Sequence, residues 1–306
     1  MKHNVRKVVV EILVGLPASG KSTYAKEKAK DSKYVHLTSD GIREEFDYNI
    51  SNNKVFSLME SRMFACLKRG VNVIYDATNL SSKRRKGLID KIRHFEKKHS
   101  ETLSIEVRGR IFAHPLTVLF NRNKKRTGRA CVPEEVILRM FKQFQIPMEW
   151  EGFDNIVVDP TSRGATVPIG QIINMEQDNP HHHHSLSEHL IASSNYGFMC
   201  GFSTEVIVAA MYHDIGKVVT KEFDDKGIAH YYDHENAGAY MLLLHFLKFN
   251  ALEDKMYLRI IGLVNYHMRP YVWKKNEKVL DRDIAKFGLN FAKELWDVHS
   301  CDVYSH

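Results

Sequence analysis

Short apolar runs alternate with helical patterns through the first half of the chain. The run from Val8 to Val14 predicts a buried strand, and later runs predict strands at residues 34–37, 71–75, 103–112 and 155–158. Between them, helical patterns occupy residues 21–29, 41–69 with a break near 49–53, 82–98 and 116–122, and Pro133 begins another helix. This alternation predicts an α/β domain whose parallel sheet is covered by helices on both faces.

The pattern changes after residue 159. Prolines and glycines interrupt residues 159–184, which we interpret as a linker and the start of a second domain. Beyond it the apolar positions recur with helical spacing and little strand character, and helices are predicted at residues 187–195, 204–213, 235–248, 255–267 and 283–302. We therefore predict an α/β domain over residues 1–159 and an all-α helical bundle over residues 160–306.

Composition and charge follow the same division. Of the 306 residues 43% are hydrophobic, but no apolar run approaches the ~18 residues of a membrane span. Residues 1–159 hold 30 Lys and Arg against 19 Asp and Glu (+11), and residues 160–306 hold 14 against 18 (−4), which gives the net +7. A basic half suits a polyanionic partner such as nucleic acid, although ordinary solvated lysines explain the charge alone about as well. The chain start lacks a signal sequence and the four cysteines are scattered, so we expect a cytoplasmic protein without a membrane partner.

A phosphate-binding motif follows the first predicted strand. Residues 15–22 read Gly-Leu-Pro-Ala-Ser-Gly-Lys-Ser, which fits G-x-x-x-x-G-K-[ST] between a strand and a helix. In such a P-loop the backbone N–H groups surround phosphate oxygens, the lysine reaches the β- and γ-phosphates and the serine ligates Mg²⁺. The sequence therefore predicts a site for ATP or another NTP with Mg²⁺. Its residues are Gly15, Ser19, Gly20, Lys21, Ser22 and Thr23, of which Ser22 is the predicted magnesium ligand.

Polar side chains follow the second and third predicted strands, where ligands of parallel sheets bind. Asp40 can activate an attacking hydroxyl, unless it caps the helix that follows; Ser39 is the alternative cap. Asp76 lies where a Walker B acid would be and can hold Mg²⁺ through water, and Asn79 follows it closely. We expect Asp76 and Asn79 to contribute to substrate binding.

Arginines supply candidate cations for the transferring phosphate. Arg122 and Arg126 are spaced i,i+4 and share a helix face, as a lid requires, although a solvated helix face has the same spacing. Arg84 is a candidate acceptor contact in the basic run at residues 83–86, and Arg85 is a slightly weaker candidate. Such runs are usually only exposed, so this assignment stays open.

Taken together, four of these motifs resemble the kinase domain of phage-type polynucleotide 5′-hydroxyl kinases over about residues 5–158. They are Gly15–Thr23, Ser39-Asp40-x-x-Arg43, Tyr75-Asp76-Ala77-Thr78-Asn79 and Arg122-x-x-x-Arg126. The resemblance implies an α/β P-loop kinase fold in which Asp40 activates the 5′-hydroxyl and Arg43 holds the 3′-phosphate of the acceptor. It also implies that the two lid arginines bind the ATP phosphates. The phosphatase motif Asp-x-Asp-x-Thr of the phage enzyme does not occur in this sequence, so any 3′-end chemistry must lie elsewhere.

The second half carries histidines and aspartates in the pattern of a metal site. His213 and Asp214 are adjacent at a predicted helix end, and further candidates precede and follow them: His189, His234, His267 and Asp302. Neutral imidazoles and carboxylates suit Mn²⁺, Fe, Co, Ni or Zn. A single histidine on a helix is more often structural, but here the residues fit one pattern, with Asp297 as the alternative to Asp302.

This pattern resembles the H…HD…D signature of the HD phosphohydrolase superfamily, an all-α bundle, over about residues 175–306. The resemblance implies that His189, His213, Asp214 and Asp302 ligate metal, with Asp214 also in the catalytic set. His234 and His267 match the extra histidines of two-metal members, in which a bridging hydroxide is available. Lys217 is a candidate contact to the substrate phosphate, and His184 is a weaker one.

These expectations combine into a bifunctional nucleic-acid end-healing enzyme. Lys21, Asp40 and Arg126 would serve NTP-dependent phosphorylation of 5′-hydroxyl ends of RNA or DNA, and the second half would remove 2′,3′-cyclic or terminal 2′/3′-phosphates. A ligase acting downstream is a candidate partner. The fusion resembles bacterial HD–polynucleotide kinases, in the opposite domain order. One alternative is a fusion of a small-molecule kinase with an HD nucleotidase, which the basic first half disfavours. The other is a non-catalytic RNA-binding ATPase, which would have lost motif residues.

Overall fold

The structure is a computed structural model that describes residues 5–179, 184–250 and 255–305. Its contacts divide the chain into two compact units. The first unit comprises Met1–Val132 with Pro147–Ser162, and the second comprises Pro133–Ile146 with Arg163–His306. Within the described residues, no helix is long and apolar enough to cross a membrane.

The first unit contains a five-stranded parallel sheet. Its strands are β1 (Arg6–Gly15), β2 (Tyr34–Thr38), β3 (Asn72–Asp76), β4 (Leu103–Phe112) and β5 (Asn155–Val158). They are ordered β2-β3-β1-β4-β5, and every pair is parallel. The intervening helices are α1 (Lys21–Lys28), α2 (Ser39–Glu45), α3 (Asn52–Lys68), α4 (Ser82–Lys98) and α5 (Leu116–Asn123). Because parallel crossovers are right-handed, connections that run in opposite directions along this order place helices on opposite faces. The predicted α/β fold is confirmed.

The centre of the sheet explains why the phosphate loop is rigidly held. β1 lies between β3 and β4, and its residues from Val10 to Gly15 are buried. Leu13 packs with Ala25 of α1, Ile74 of β3 and Phe112 of β4 in one apolar cluster. Burial of this apolar surface fixes α1 directly behind the end of β1.

The second unit is helical, as predicted. Its helices are α6 (Glu134–Phe141), α7 (Ile169–Ile173), α8 (Leu186–Met199), α9 (Thr204–Tyr212), α10 (Lys217–Thr220), α11 (His234–Lys248), α12 (Lys255–Tyr266), α13 (Arg269–Trp273), α14 (Glu277–Phe287) and α15 (Leu289–Val303). A short antiparallel hairpin of β6 (Glu222–Phe223) and β7 (Ala229–His230) was not predicted. The helix predicted over residues 283–302 is interrupted at Gly288, whose φ of 84° ends α14 before α15 begins.

Residues 133–146 pack within the second unit, although the sequence placed them in the first domain. The rings of Phe141 and Phe144 meet Tyr240 of α11 edge-on, with centroid separations of 5.4 and 4.9 Å. The Ile146 backbone N–H donates to Asn265 Oδ1 at 2.8 Å. These contacts join residues far apart in sequence, so helical periodicity alone could not assign this segment to either unit. The single boundary predicted between residues 159 and 160 therefore differs from the observed division.

Candidate active sites

The P-loop connects β1 to α1 with close backbone contacts. A Cβ on Gly15 would lie 2.6 Å from the Phe112 carbonyl oxygen and 2.9 Å from Ser19 Oγ, so only glycine fits there. Gly20 adopts φ 101° as the N-cap of α1. Ser22 and Thr23 are exposed on the first turn of the helix, where their hydroxyls can reach a ligand. This geometry is that of a phosphate-binding loop at a helix N-terminus.

Lys21 is buried within the same loop. Its ammonium group donates to the carbonyl oxygens of Gly15 and Leu16, both at 2.8 Å, and to Ser19 Oγ at 3.2 Å. Burial lowers the pKa of Lys21 to about 8; Arg126 acts in the same direction, whereas Asp76 and Asp40 oppose it. The loop lysine, both predicted carboxylates and the second lid arginine therefore lie within electrostatic reach of one another.

Asp76 and Asn79 have defined partners at the end of β3. His36 of β2 approaches the buried Asp76 carboxylate, with Nε2 2.9 Å from Oδ2. Asn79 has φ 47° and donates its side-chain amide to the Leu13 carbonyl at 2.7 Å, which ties the end of β3 to β1. Asp76 thus remains a candidate magnesium-water contact, whereas the Asn79 amide supports the sheet edge. His36 was missed because a single histidine within a strand has no distinguishing spacing.

The Asp40 carboxylate is not used as a helix cap. Thr38, rather than the predicted Ser39, caps α2, because its Oγ1 accepts from the Asp40 N–H at 3.3 Å. The Asp40 side chain is 79% exposed and pairs with Arg43 at 3.2 Å. A carboxylate held in this way is available to an acceptor hydroxyl, and Arg43 lies beside it.

The lid segment follows α5. Arg122 is half-buried in the last turn of that helix, and Arg126 is exposed beyond it, with a hydrogen bond from Nη1 to the Ala130 carbonyl at 3.3 Å. The guanidinium of Arg129 lies 4.1 Å from the ring centroid of Tyr48, in the turn after α2. The segment therefore extends from the neighbourhood of Lys21 to the turn that follows Asp40.

The basic run at the start of α4 contains two different kinds of arginine. Arg84 is exposed and lies over the Phe56 ring, with Cζ 5.6 Å from its centroid. Arg85 is fully buried and pairs in bidentate fashion with Glu151, at 2.7 and 2.6 Å. Arg85 also donates to the carbonyl oxygens of Asn79 and Leu80. It supports the fold and cannot bind an acceptor, which corrects the sequence interpretation.

In the second unit the predicted metal ligands converge. Two groups of donors have atoms within 4.8 Å of one another, and they share Asp214. The first group comprises His189, His213, Asp214 and Asp302, and the second comprises Asp214, His234 and His267. All six are buried. Asp302 of α15, and not Asp297, joins the cluster.

Asp214 presents one oxygen to each group. Its Oδ2 atom lies 3.3 Å from His213 Nε2 and 3.6 Å from His189 Nε2. Its Oδ1 atom lies 3.0 Å from His234 Nε2 and 3.7 Å from His267 Nε2. A carboxylate in this arrangement can bridge two adjacent cations.

The four histidines point the same nitrogen into the cluster. The Nδ1 atoms of His213, His234 and His267 each lie 2.8 Å from a backbone carbonyl oxygen three residues earlier, to which they donate. Ser305 donates to the Asp302 carbonyl and so accepts from His189 Nδ1, 3.2 Å away. Each Nε2 atom is therefore directed at the cluster, as in metal-binding histidines whose other nitrogen is held by an outer partner.

Asp302 is oriented by a residue that sequence analysis missed. Its Oδ1 atom lies 3.2 Å from His189 Nε2 and 3.4 Å from His213 Nε2, while its Oδ2 atom accepts from the Tyr271 hydroxyl at 2.8 Å. Burial and the neighbouring Asp302 raise the pKa of Tyr271, so it remains a donor. Tyr271 precedes Asp302 by 31 residues, and no local pattern connects them.

Lys217 and Gly216 explain the rest of the His-Asp-x-Gly-Lys phrase. The Lys217 ammonium donates to Asp214 Oδ2 at 2.6 Å and to Gln177 Oε1 at 2.8 Å. A Cβ on Gly216 would collide with the carbonyl oxygen of His234. The glycine therefore allows the start of α11 to approach, which brings His234 against Asp214. His184 is exposed at the N-terminal side of α8, where its carbonyl accepts from Gln177.

The electrostatics of the cluster require positive charge. Burial disfavours its carboxylates, but Lys217 and His213 outweigh burial and hold the pKa of Asp214 well below its usual range. Burial alone would lower the pKa of His213, but Asp214 and Asp302 raise it to about 10. Burial, with His234 and His213, lowers the pKa of His267 to about 3. His234 Nε2 and His267 Nε2 lie 3.2 Å apart, so either one of them carries a proton and donates to the other, or a bound cation takes the place of that proton.

The donors therefore fit divalent metal. Imidazole nitrogens and carboxylate oxygens within this spacing are ligands of first-row transition metals. In the first unit, the Ser22 hydroxyl and the Asp76 carboxylate are oxygen donors of the kind that Mg²⁺ prefers.

Comparison with known families agrees with both sites. Residues 10–147 match the family described as AAA domain, and residues 186–305 match the HD domain. The first match lies in the α/β part of the chain and the second in the helical part. The AAA match contains the P-loop, Asp40, Asp76 and both lid arginines, and the HD match contains all six candidate metal ligands. The AAA match also includes residues 133–146, which pack in the second unit.

Individual relatives match about half of the chain. The L-seryl-tRNA(Sec) kinase of Methanococcus maripaludis is 28% identical over 173 residues, which are 53% of this chain and 62% of that protein. This chain thus spans less than two thirds of that relative. Among solved structures, the Pnkp1/Rnl/Hen1 RNA repair complex contains a chain 27% identical, with a TM-score of 0.38 over 47% of this chain and 46% of its own. A fungal RNA kinase is 15% identical, with a TM-score of 0.40 over 53% of this chain and 78% of its own.

Proposed function

We propose that this protein heals nucleic-acid ends with two separate activities. The AAA domain transfers the γ-phosphate of ATP or another NTP to a 5′-hydroxyl end, and the HD domain hydrolyses a 2′,3′-cyclic or a terminal 2′/3′-phosphate. The observation that carries the kinase assignment is the exposed carboxylate of Asp40, which is paired with Arg43 and lies within electrostatic reach of Lys21. This supports Asp40 as the base for an acceptor hydroxyl next to the phosphate loop.

In the kinase reaction each residue acts on a defined charge. The oxygen of the 5′-hydroxyl bonds to the γ-phosphorus while its proton passes to Asp40. At the same time the bond between the γ-phosphorus and the bridging oxygen of ATP breaks. Lys21 and Arg126 stabilise the negative charge on the transferring group. Arg122 joins them from the last turn of α5; because that helix ends at Asn123, the two lid arginines do not share a helix face as predicted. Arg43 holds an acceptor phosphate next to Asp40. Ser22 and Asp76 would hold Mg²⁺.

In the HD domain, the six buried donors would hold one or two ions of Mn, Fe, Co, Ni or Zn. Such ions supply a hydroxide nucleophile at neutral pH and withdraw charge from a phosphoester. The residues of the chain orient this site. Tyr271 fixes the Asp302 carboxylate, Asp214 is shared by both groups, and Lys217 offers a cation to the substrate phosphate beside Asp214.

The basic charge of residues 1–159 supports a polynucleotide acceptor over a small molecule. The M. maripaludis relative, named as a kinase of L-seryl-tRNA(Sec), favours a second candidate, a hydroxyl carried on an RNA but not at its 5′ end. A ligase that joins the healed 5′ and 3′ ends would act after these two reactions.

The test is a comparison of acceptors with the purified full-length protein. A 5′-hydroxyl RNA ending in a 2′,3′-cyclic phosphate, a 5′-hydroxyl DNA of the same sequence ending in a 3′-phosphate, a free nucleoside and seryl-tRNA are incubated with labelled ATP, Mg²⁺ and Mn²⁺, and both ends are mapped. We expect label at the 5′ end of the oligonucleotides and loss of the cyclic phosphate from the RNA. Label on seryl-tRNA or on nucleosides, with none on 5′ ends, would overturn the kinase proposal in favour of the corresponding alternative.

A further inference from the structure

A line of polar and aromatic side chains leads from Asp40 across the surface of the first unit. Asp40 pairs with Nη1 of Arg43, and Nη2 of Arg43 donates to Asn52 Oδ1 at 2.9 Å. Asn52 is the first residue of α3, and Phe56 lies one turn further on the same helix face. The Arg84 guanidinium of α4 lies over the Phe56 ring. The line thus joins the proposed catalytic base to an arginine–aromatic pair.

This arginine–aromatic pair has no equivalent among its neighbours in the basic run. Arg85 is buried in its ion pair with Glu151, and Lys86 pairs with Asp90 at 2.8 Å on the same helix. Arg84 is instead exposed, and within the described residues its guanidinium contacts the half-buried ring of Phe56. The guanidinium lies over the ring while the side chain remains accessible to solvent.

The chemistry along the line matches the parts of a single nucleic-acid strand. A guanidinium such as that of Arg43, beside the Asp40 carboxylate, binds a phosphate through paired hydrogen bonds. Guanidinium planes and aromatic rings stack on bases, and such stacking tolerates any base because each has a π-face. The four residues from Asn52 to Phe56 advance about 6 Å along α3, which separates a phosphate contact from a base contact.

We propose that Asn52, Phe56 and Arg84 form a subsite for the second nucleotide of a single-stranded acceptor. The terminal 5′-hydroxyl lies at Asp40, the phosphate that follows lies at Arg43, and the second base stacks on the Arg84–Phe56 pair. This inference rests on the proposed kinase function. It identifies the acceptor as an unpaired 5′-hydroxyl end of at least two nucleotides, because a paired second base is already stacked within a duplex.

The test uses decamers with a 5′-hydroxyl that differ in one position. One is complete, one lacks the base at the second nucleotide, and one lacks the base at the eighth nucleotide. For the wild-type protein we expect KM to rise about 5- to 150-fold for the acceptor without the second base, the range for loss of one stacked base. Loss of the eighth base should leave KM near that of the complete strand.

Variants assign the effect to the subsite. Arg84→Ala, at an exposed position, should raise KM for the complete strand by a similar factor and remove the discrimination against the missing second base. Arg84→Lys, which keeps the charge without the plane, should behave like Arg84→Ala. Lys83→Ala removes a neighbouring charge and should retain the discrimination. The Kd for ATP should be unchanged in all three.

The outcomes separate this inference from the function on which it rests. If the wild type phosphorylates no 5′-hydroxyl strand, the kinase proposal and the subsite fall together. If it phosphorylates the complete strand but does not distinguish the missing second base, or if Arg84→Ala retains the discrimination, only the subsite is overturned.

Discussion

Lys217 donates to the same Asp214 oxygen that faces His213 and His189, at a distance of 2.6 Å. The ammonium is therefore part of the ligand cluster, although the sequence suggested only a contact to substrate. A cation at this position stabilises the ionised carboxylate, and it also repels a divalent ion bound by the same group. Its two effects on the site can be measured separately.

Lys217→Met is expected to bind Mn²⁺ at least as tightly as the wild type, because a competing charge is removed. At the same time kcat for 3′-end hydrolysis should fall about 10²- to 10³-fold, as when a donor to developing charge is lost. Calorimetric titration with Mn²⁺ and steady-state kinetics measure these quantities. Lys221→Met, which removes a lysine paired with Asp178 nearby, is the control. Weaker Mn²⁺ binding with unchanged kcat would show that Lys217 only supports the ligands.

The second prediction concerns Lys21, whose pKa burial lowers to about 8. Bound phosphate favours the ammonium form, so ATP binding raises this pKa and affinity for ATP should fall as the pH rises through that value. At about pH 8, binding should take up on the order of half a proton at Lys21, and much less at acidic pH, where the lysine is already charged. Calorimetry in buffers of different ionisation enthalpy measures the uptake. Equal uptake in Lys21→Met would assign it to another group.

Tyr271 provides a third prediction, for the orientation of Asp302. Tyr271→Phe removes the hydroxyl that holds Oδ2, so metal affinity of the first group should fall about 10- to 100-fold, the usual effect of losing an outer partner of a ligand. Competition with a chelator measures it. Tyr304→Phe, at a ring that is 68% exposed and stacks on Tyr196, should have no effect. Unchanged metal affinity in Tyr271→Phe, with reduced hydrolysis, would place the tyrosine on the substrate instead.

The fourth prediction separates the two arginines of α4. Arg85→Met leaves Glu151 buried without its partner and should lower the free energy of unfolding by about 3–5 kcal/mol. Arg85→Met combined with Glu151→Met should recover much of this loss, because no unpaired charge remains. Arg84→Ala should change stability by less than about 0.5 kcal/mol. Urea unfolding of the full-length variants tests this, and equal effects of Arg84→Ala and Arg85→Met would contradict the structural distinction.

Local patterns predicted the strands of the parallel sheet and the P-loop, because these depend on spacing along the chain. The six donors of the second unit are far apart in sequence, and their convergence was implied by the resemblance to the H…HD…D signature. The role of Arg85 was also present in the sequence. It shares a face of α4 with Leu88, Ile89 and Ile92, at helical spacing, and these residues are all buried. A basic run was interpreted as exposed although one of its members lay on the apolar stripe.

Other features depend on contacts between distant residues and have no local signal. The packing of Phe141 and Phe144 on Tyr240 places a helix that follows the lid in the second unit. The hydrogen bond from Tyr271 to Asp302 likewise depends on how two helices meet. Only the folded structure brings such partners together.

The central claim is that the chain holds two chemically independent sites, and one experiment tests it most directly. A 5′-hydroxyl RNA with a 2′,3′-cyclic phosphate is incubated with wild type, Lys21→Ala and His213→Ala/Asp214→Ala, with metal content determined by elemental analysis. We predict that Lys21→Ala loses 5′ phosphorylation and keeps 3′-end hydrolysis. The double variant should lose its transition metal and the hydrolysis, because Asp214 belongs to both ligand groups, and should keep the kinase activity. Metal retained in the double variant, or hydrolysis lost in Lys21→Ala, would contradict the account.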